Sequence, residues 1–227
     1  MPVNKIKYEE IKRKLNEKES TLVAVSKTKP VEAIKELYEM GQRDFGENYV
    51  QELVEKAAVL PGDIRWHFIG HLQSNKVKYI APFVYLIHGV DSLKLLMEIN
   101  KQAQKNNRVV NVLLQVHIAK EETKFGLSDQ ELEEILVNSS EQVNSLQNLR
   151  IRGLMGMASF SESIDQVKEE FRYLKSLFDK YASLQTENCR LQTLSMGMSG
   201  DYLLALEEGS NMVRIGSLLF GERTYNV

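Results

Sequence analysis

The sequence predicts an α/β protein built as a single (β/α)8 barrel, a TIM barrel of parallel strands with no second domain. Three observations lead there. Segments of β-type pattern alternate with amphipathic segments eight times along the chain, as a barrel requires. The 227 residues match one such barrel, and no low-complexity run, Pro/Gly-rich linker or composition shift divides them. The rival architecture, a doubly wound open sheet, would place G-x-G-x-x-G after its first strand, and none follows here.

In chain order the strands are expected at residues 22–28, 43–47, 66–69, 84–90, 109–118, 151–157, 193–198 and 212–218. The segments between them carry helix signals. Pro30 stands where a first helical residue is expected, with φ already set. Ser128 and Glu131 make a capping box ahead of Leu132, Ile135 and Leu136. Ile164, Val167, Phe171, Leu174 and Phe178 form one apolar stripe at helical spacing.

Composition excludes several function classes. With 29 basic and 31 acidic residues the formal net charge is −2, which gives no electrostatic reason to bind nucleic acid or anionic lipid. No apolar run approaches membrane-spanning length, and the first 19 residues lack the apolar core of a signal peptide. Cys189 is the only cysteine, so no intrachain disulfide forms, which fits a reducing compartment. A cytoplasmic protein is expected.

Barrels of this kind place their active sites at the carboxyl ends of the strands and often hold phosphate after strands 7 and 8. Unusual polar residues collect at those ends. Lys27 shares a strand face with Val23 and Val25 by period-two alternation. An amine held inside an apolar barrel loses basicity and becomes nucleophilic, suited to a Schiff base, whereas a lysine that snorkels from the mouth stays an ordinary cation. Both readings stand on this strand alone. Lys29 has the same parity but precedes Pro30, so an extended, solvated lysine is expected there.

The seventh strand runs into Ser195-Met196-Gly197-Met198-Ser199-Gly200-Asp201, and the eighth into Arg214-Ile215-Gly216-Ser217. Glycines and hydroxyls at such turns suit an anion, although Ser199 would equally serve as a helix N-cap. Arg214 lies among Met212, Val213 and Ile215, so it is expected to be buried and to need a partner. His67 and His71 straddle a strand–loop boundary and do not form a metal pair on one face; His88 and His117 read as isolated core or loop residues.

These segments together resemble the pyridoxal phosphate homeostasis proteins, a family related to the N-terminal domain of alanine racemase. The likeness rests on Val25-Ser26-Lys27-Thr28-Lys29-Pro30, on Phe45-Gly46-Glu47-Asn48-Tyr49-Val50-Gln51-Glu52, and on Trp66-His67-Phe68-Ile69-Gly70 followed by Leu72-Gln73-Ser74-Asn75-Lys76. Arg152-Gly153-Leu154-Met155, the Ser195–Ser199 run with Asp201, and Met212-Val213-Arg214-Ile215-Gly216 with Phe220-Gly221 complete it. The resemblance implies pyridoxal 5′-phosphate (PLP) as cofactor, joined to Lys27, with Arg214 at the pyridine nitrogen. It implies phosphate contacts from Ser199, Gly216 and Ser217, and places Asn48 and His67 in the cofactor pocket. His71 falls at a variable position and His117 where relatives often carry asparagine.

Arginine does not give up its proton in proteins, so the ring nitrogen it faces should stay unprotonated and the electron sink weak. Racemases of this fold also take a catalytic tyrosine from a second domain, and this chain ends at Val227 just after the last expected strand. A monomer that holds PLP for homeostasis and hands it to PLP-requiring apo-enzymes is therefore expected, with little or no turnover. The alternatives are a PLP-dependent amino-acid racemase and a cofactor-free aldolase whose lysine attacks a sugar.

Overall fold

The computed structural model describes residues 3–120, 125–184 and 186–221. Eight parallel strands close into a barrel in sequence order: β1 (Thr21–Val25), β2 (Asp44–Glu47), β3 (Arg65–Phe68), β4 (Leu86–Val90), β5 (Val110–Gln115), β6 (Leu149–Met155), β7 (Cys189–Ser195) and β8 (Met212–Ile215). The ring closes where Thr21 to Ala24 pair with Met212 to Ile215. The outer layer comprises α1 (Lys5–Glu17), α2 (Val31–Glu39), α3 (Val50–Val59), α4 (Val77–Ile80), α5 (Leu93–Lys105), α6 (Asp129–Glu133), α7 (Ser140–Asn144), α8 (Ile164–Tyr181), α9 (Tyr202–Glu207) and α10 (Ser217–Phe220).

Strand parity sorts the side chains into two apolar regions. Leu22, Ala24, Phe45, Phe68 and Ile87 face outward and pack beneath the helices. Val23, Leu86, Leu113, Met155 and Met212 face inward and form a separate cluster inside the barrel. Val23 lies on the inner face as expected, but β1 ends at Val25, two residues before Lys27.

Several expected strands end too late. The chain leaves the ladder after Val25 in β1 and after Ile215 in β8: Thr28 adopts a left-handed φ of 62°, and a short helix starts at Ser217. β7 starts four residues before its expected position, because Cys189 and Leu191 supply further buried residues on alternate positions. The capping box at Ser128 and Glu131 forms as expected. Pro30 stands one residue before α2, at its N-cap. On α8 the buried stripe runs through Val167, Phe171, Leu174, Leu177 and Tyr181, while Ile164 is exposed.

Helix α1 precedes the first strand. Asn4 caps it by accepting from the Lys7 N–H at 3.0 Å, and Tyr8, Ile11 and Leu15 bury one face. The Asn4 N–H donates to the Leu219 carbonyl at 2.8 Å, fastening this helix beside α10.

Candidate cofactor site at the barrel mouth

A cavity of about 420 Å³ opens at the carboxyl ends of the strands. Lys27, Asn48, Ser199, Arg214, Gly216 and Ser217 all line it, with Lys29, Met157 and Phe160 nearby on its wall. A larger groove of about 640 Å³ shares Asn48, but Tyr49, Val54, Phe68 and Tyr79 make its wall mainly apolar.

The segment carrying Lys27 is clamped on both sides by charged side chains. Lys56, on α3, donates to the Ser26 carbonyl at 2.7 Å, to Glu47 Oε1 at 2.8 Å and to Glu52 Oε1 at 2.7 Å. The Ser26 hydroxyl donates to Glu47 Oε1 at 2.6 Å, and the Thr28 N–H donates to Glu52 Oε1 at 2.6 Å. One ion cluster thus holds the peptide groups before and after Lys27. Burial pushes the Glu47 carboxyl up to about 7, against the pull of Lys56. Its Oε2 is buried without a hydrogen-bond partner among the described residues.

Lys29 is only partly exposed, which differs from the solvated lysine expected. Its ammonium donates to the carbonyls of Phe220 and Gly221 at 3.0 and 3.2 Å, at the end of α10. The carbonyls left open where that short helix stops give the cation a place inside the mouth.

The two turns opposite Lys27 are joined to each other. The Gly216 N–H donates to Ser199 Oγ at 3.2 Å, and the Arg214 N–H donates to the Gly197 carbonyl at 3.0 Å. Asp201, rather than Ser199, occupies the N-cap of α9, and its Oδ1 accepts from the Met198 N–H at 2.5 Å. Gly197 has φ +94°, and a Cβ there would come within 2.5 Å of Ala205 Cβ, so the turn needs glycine. At Gly216 a Cβ would meet the Val25 carbonyl oxygen at 3.1 Å, pressing on β1 just before Lys27.

Arg214 is buried as expected, and its partners are neutral. NH1 donates to the Ser195 carbonyl at 2.9 Å and to Ser195 Oγ at 2.7 Å; NH2 donates to the Gly156 carbonyl at 3.0 Å. Burial pulls its pKa down to about 10, with Asp201 acting in the opposite sense, so the group is cationic at neutral pH.

His67 does not line the cavity, contrary to expectation. Its strand position turns it into the closed barrel interior, where it is fully buried. There Nε2 lies 3.0 Å from Asp44 Oδ1 and Nδ1 lies 2.9 Å from His88 Nε2. His88 Nδ1 lies 3.2 Å from Ser195 Oγ, so His88 is not isolated either. Asp44 also takes two hydrogen bonds from Arg65, at 2.7 and 2.5 Å. Burial alone would raise the Asp44 pKa, but the bonds from Arg65 and His67 outweigh it and hold the group at about 2.

Asp44 and Lys56 were not named from the sequence; Glu47, Glu52 and Ser195 entered only as members of motifs, and His88 only as an isolated core or loop residue. A signal for the inner set existed: Asp44, His67, His88 and Arg214 all share inward parity on their strands.

Residues 5–224 match the alanine racemase N-terminal domain family. A pyridoxal phosphate homeostasis protein from Aquifex aeolicus (strain VF5) is 46% identical over 206 residues, 90% of this chain and 87% of that protein. The chain belongs to the pyridoxal phosphate homeostasis protein family. The Escherichia coli (strain K12) member is 41% identical, covering 92% of this chain and 88% of its own length. PipY of Synechococcus elongatus PCC7942, solved without PLP, superposes with a TM-score of 0.87 at 35% identity, covering 95% of this chain and 98% of PipY. The PLP-bound form of PipY gives 0.80 at 37% identity, with 89% and 93% covered. Alanine racemase from Streptomyces coelicolor A3(2) shares the fold at 17% identity and a TM-score of 0.72, and the chain spans 57% of its length.

Proposed function

We propose that this protein binds pyridoxal 5′-phosphate in the mouth cavity through Lys27 and serves PLP homeostasis, holding and delivering the cofactor with little or no turnover. The observation that carries this reading is the convergence of an amine, a buried guanidinium and a pair of glycine–hydroxyl turns on one cavity. PLP-bound PipY, a relative of nearly equal length, supports the choice of ligand.

The residues present fit the group. Asn48 Oδ1 is buried without a partner among the described residues, an acceptor at the wall of a cavity where a donor would be welcome. Arg214 spends three N–H groups on Ser195 and Gly156 and keeps others for a ligand. When bound, PLP supplies an aldehyde that joins a primary amine as a Schiff base with loss of water, and a ring that withdraws electrons.

Lys27, on the cavity wall just after β1, provides the amine, while the Lys29 ammonium donates to the Phe220 and Gly221 carbonyls. The Ser199 hydroxyl and the Gly216–Ser217 turn take the phosphate. Arg214 donates to the pyridine nitrogen and, as a guanidinium that does not give up its proton, cannot protonate it readily. That restrains the ring's electron withdrawal and favours storage over chemistry. The recipients are PLP-requiring apo-enzymes in the cytoplasm.

The visible spectrum of the purified protein, before and after adding PLP, checks the reading, followed by assays on a panel of amino acids. A yellow protein that shows no appreciable racemisation, transamination or decarboxylation is expected. Failure to take up PLP contradicts the binding claim, and turnover of about 1 s⁻¹ or faster contradicts the storage claim.

A further inference from the structure

The hydrogen bonds inside the barrel run in one direction. Arginine only donates, so Ser195 Oγ accepts from Arg214 and its own hydroxyl proton must point elsewhere. The acceptor within reach is His88 Nδ1. His88 then carries its proton on Nε2 and donates it to His67 Nδ1, and His67 carries its proton on Nε2 and donates it to Asp44. In this pattern each link sets the next, and each imidazole needs only one N–H. A second proton on His67 would set two N–H groups face to face between the rings. Relief would require every bond back to Ser195 to reverse.

The chain passes from β2 through β3 and β4 and crosses the lumen to β7 and β8. It starts at the amino end of the barrel, where the Arg65 side chain on Asp44 is 46% exposed, and ends at the cavity on the carboxyl side. Four polar groups have displaced apolar side chains from a barrel core, a costly arrangement unless every member is satisfied. Here each is.

We infer that Asp44, His67, His88 and Ser195 are positioning residues: an oriented hydrogen-bond chain that fixes Arg214 and its donor pattern from the opposite end of the barrel. None of the four touches the cavity. The inference rests on the reading that Arg214 faces the ring of bound PLP. Asp44 anchors the polarity, because its carboxylate, paired with the Arg65 guanidinium, only accepts. Ser195 transmits it to the guanidinium.

The test has one arm without cofactor and one with it. Histidine-labelled, ligand-free protein is examined by long-range ¹H–¹⁵N correlation near pH 7; the chain has four histidines, which single His→Gln variants assign. His67 and His88 are expected as neutral rings protonated at Nε2. A charged ring, or one protonated at Nδ1, overturns the inference. In the second arm PLP is titrated into wild type, Asp44→Asn, Ser195→Ala and Ser195→Thr. Asp44→Asn and Ser195→Ala are expected to shift the absorption band of bound PLP and weaken its affinity about threefold to tenfold, the worth of a neutral hydrogen bond. Ser195→Thr, which keeps the hydroxyl, is expected to restore both. Folded variants with wild-type spectrum and affinity overturn the inference, as does a Thr variant no better than Ala. Failure of wild type to bind PLP sinks the cofactor reading instead, and leaves the imidazole arm to decide on the chain.

Discussion

On the β1–β2 side of the cavity the segment bearing Lys27 is fastened by charged side chains, with Lys56 between Glu47 and Glu52. On the β7–β8 side the turns are fastened mainly by backbone groups, glycines and the Ser199 hydroxyl, with the Asp201 carboxylate accepting from the Met198 N–H. The first wall must hold a reactive amine in place, and it does so with desolvated charges. The second must leave N–H groups available, and it does so by omitting side-chain atoms. Removing a side chain should therefore damage the first wall, whereas adding one should damage the second.

The largest effect is expected from Lys56→Met, which leaves Glu47 buried without its cationic partner. Loss of one partner from a buried pair costs about 3–5 kcal/mol, read here as a lower urea midpoint. Replacing both members, Lys56→Met with Glu47→Leu, should recover much of it, because the stranded charge is gone. A single variant that costs less than about 1 kcal/mol, the range of exposed ion pairs, would remove the contrast between the walls.

On the other wall, Gly216→Val should cut PLP affinity more than loss of either serine, because its side chain crowds Val25 as well as the ligand. Ser199→Ala and Ser217→Ala each remove one hydrogen bond to a charged group, about 1.5–3 kcal/mol, or roughly tenfold to a hundredfold in affinity. Their stability should change little. The double variant should also lose much of the preference for PLP over pyridoxal. A double variant that discriminates as well as wild type would place the phosphate elsewhere.

The fold was legible because parity and spacing are local: Val23 announced the inner face of β1, and Ser128 with Glu131 announced a helix start. Six of the seven expected pocket residues line one cavity for the same reason, each standing at a strand end. His67 was misplaced because the sequence gives its strand but not its depth: its ring is held inside the barrel by Asp44 and His88. The Lys56 clamp was hidden because it joins a helix face to the outer side of β2, a contact set by tertiary packing. The inner chain required knowing which strands face each other across the lumen, which follows only once the ring has closed.

The central claim is that Lys27 carries the cofactor. Reduction of the PLP-loaded protein with borohydride, followed by peptide mapping, tests it most directly. The pyridoxyl group is expected on Lys27, with Lys29 unmodified and labelling abolished in Lys27→Ala. Label found mainly on Lys29, or persisting in Lys27→Ala, would contradict the account.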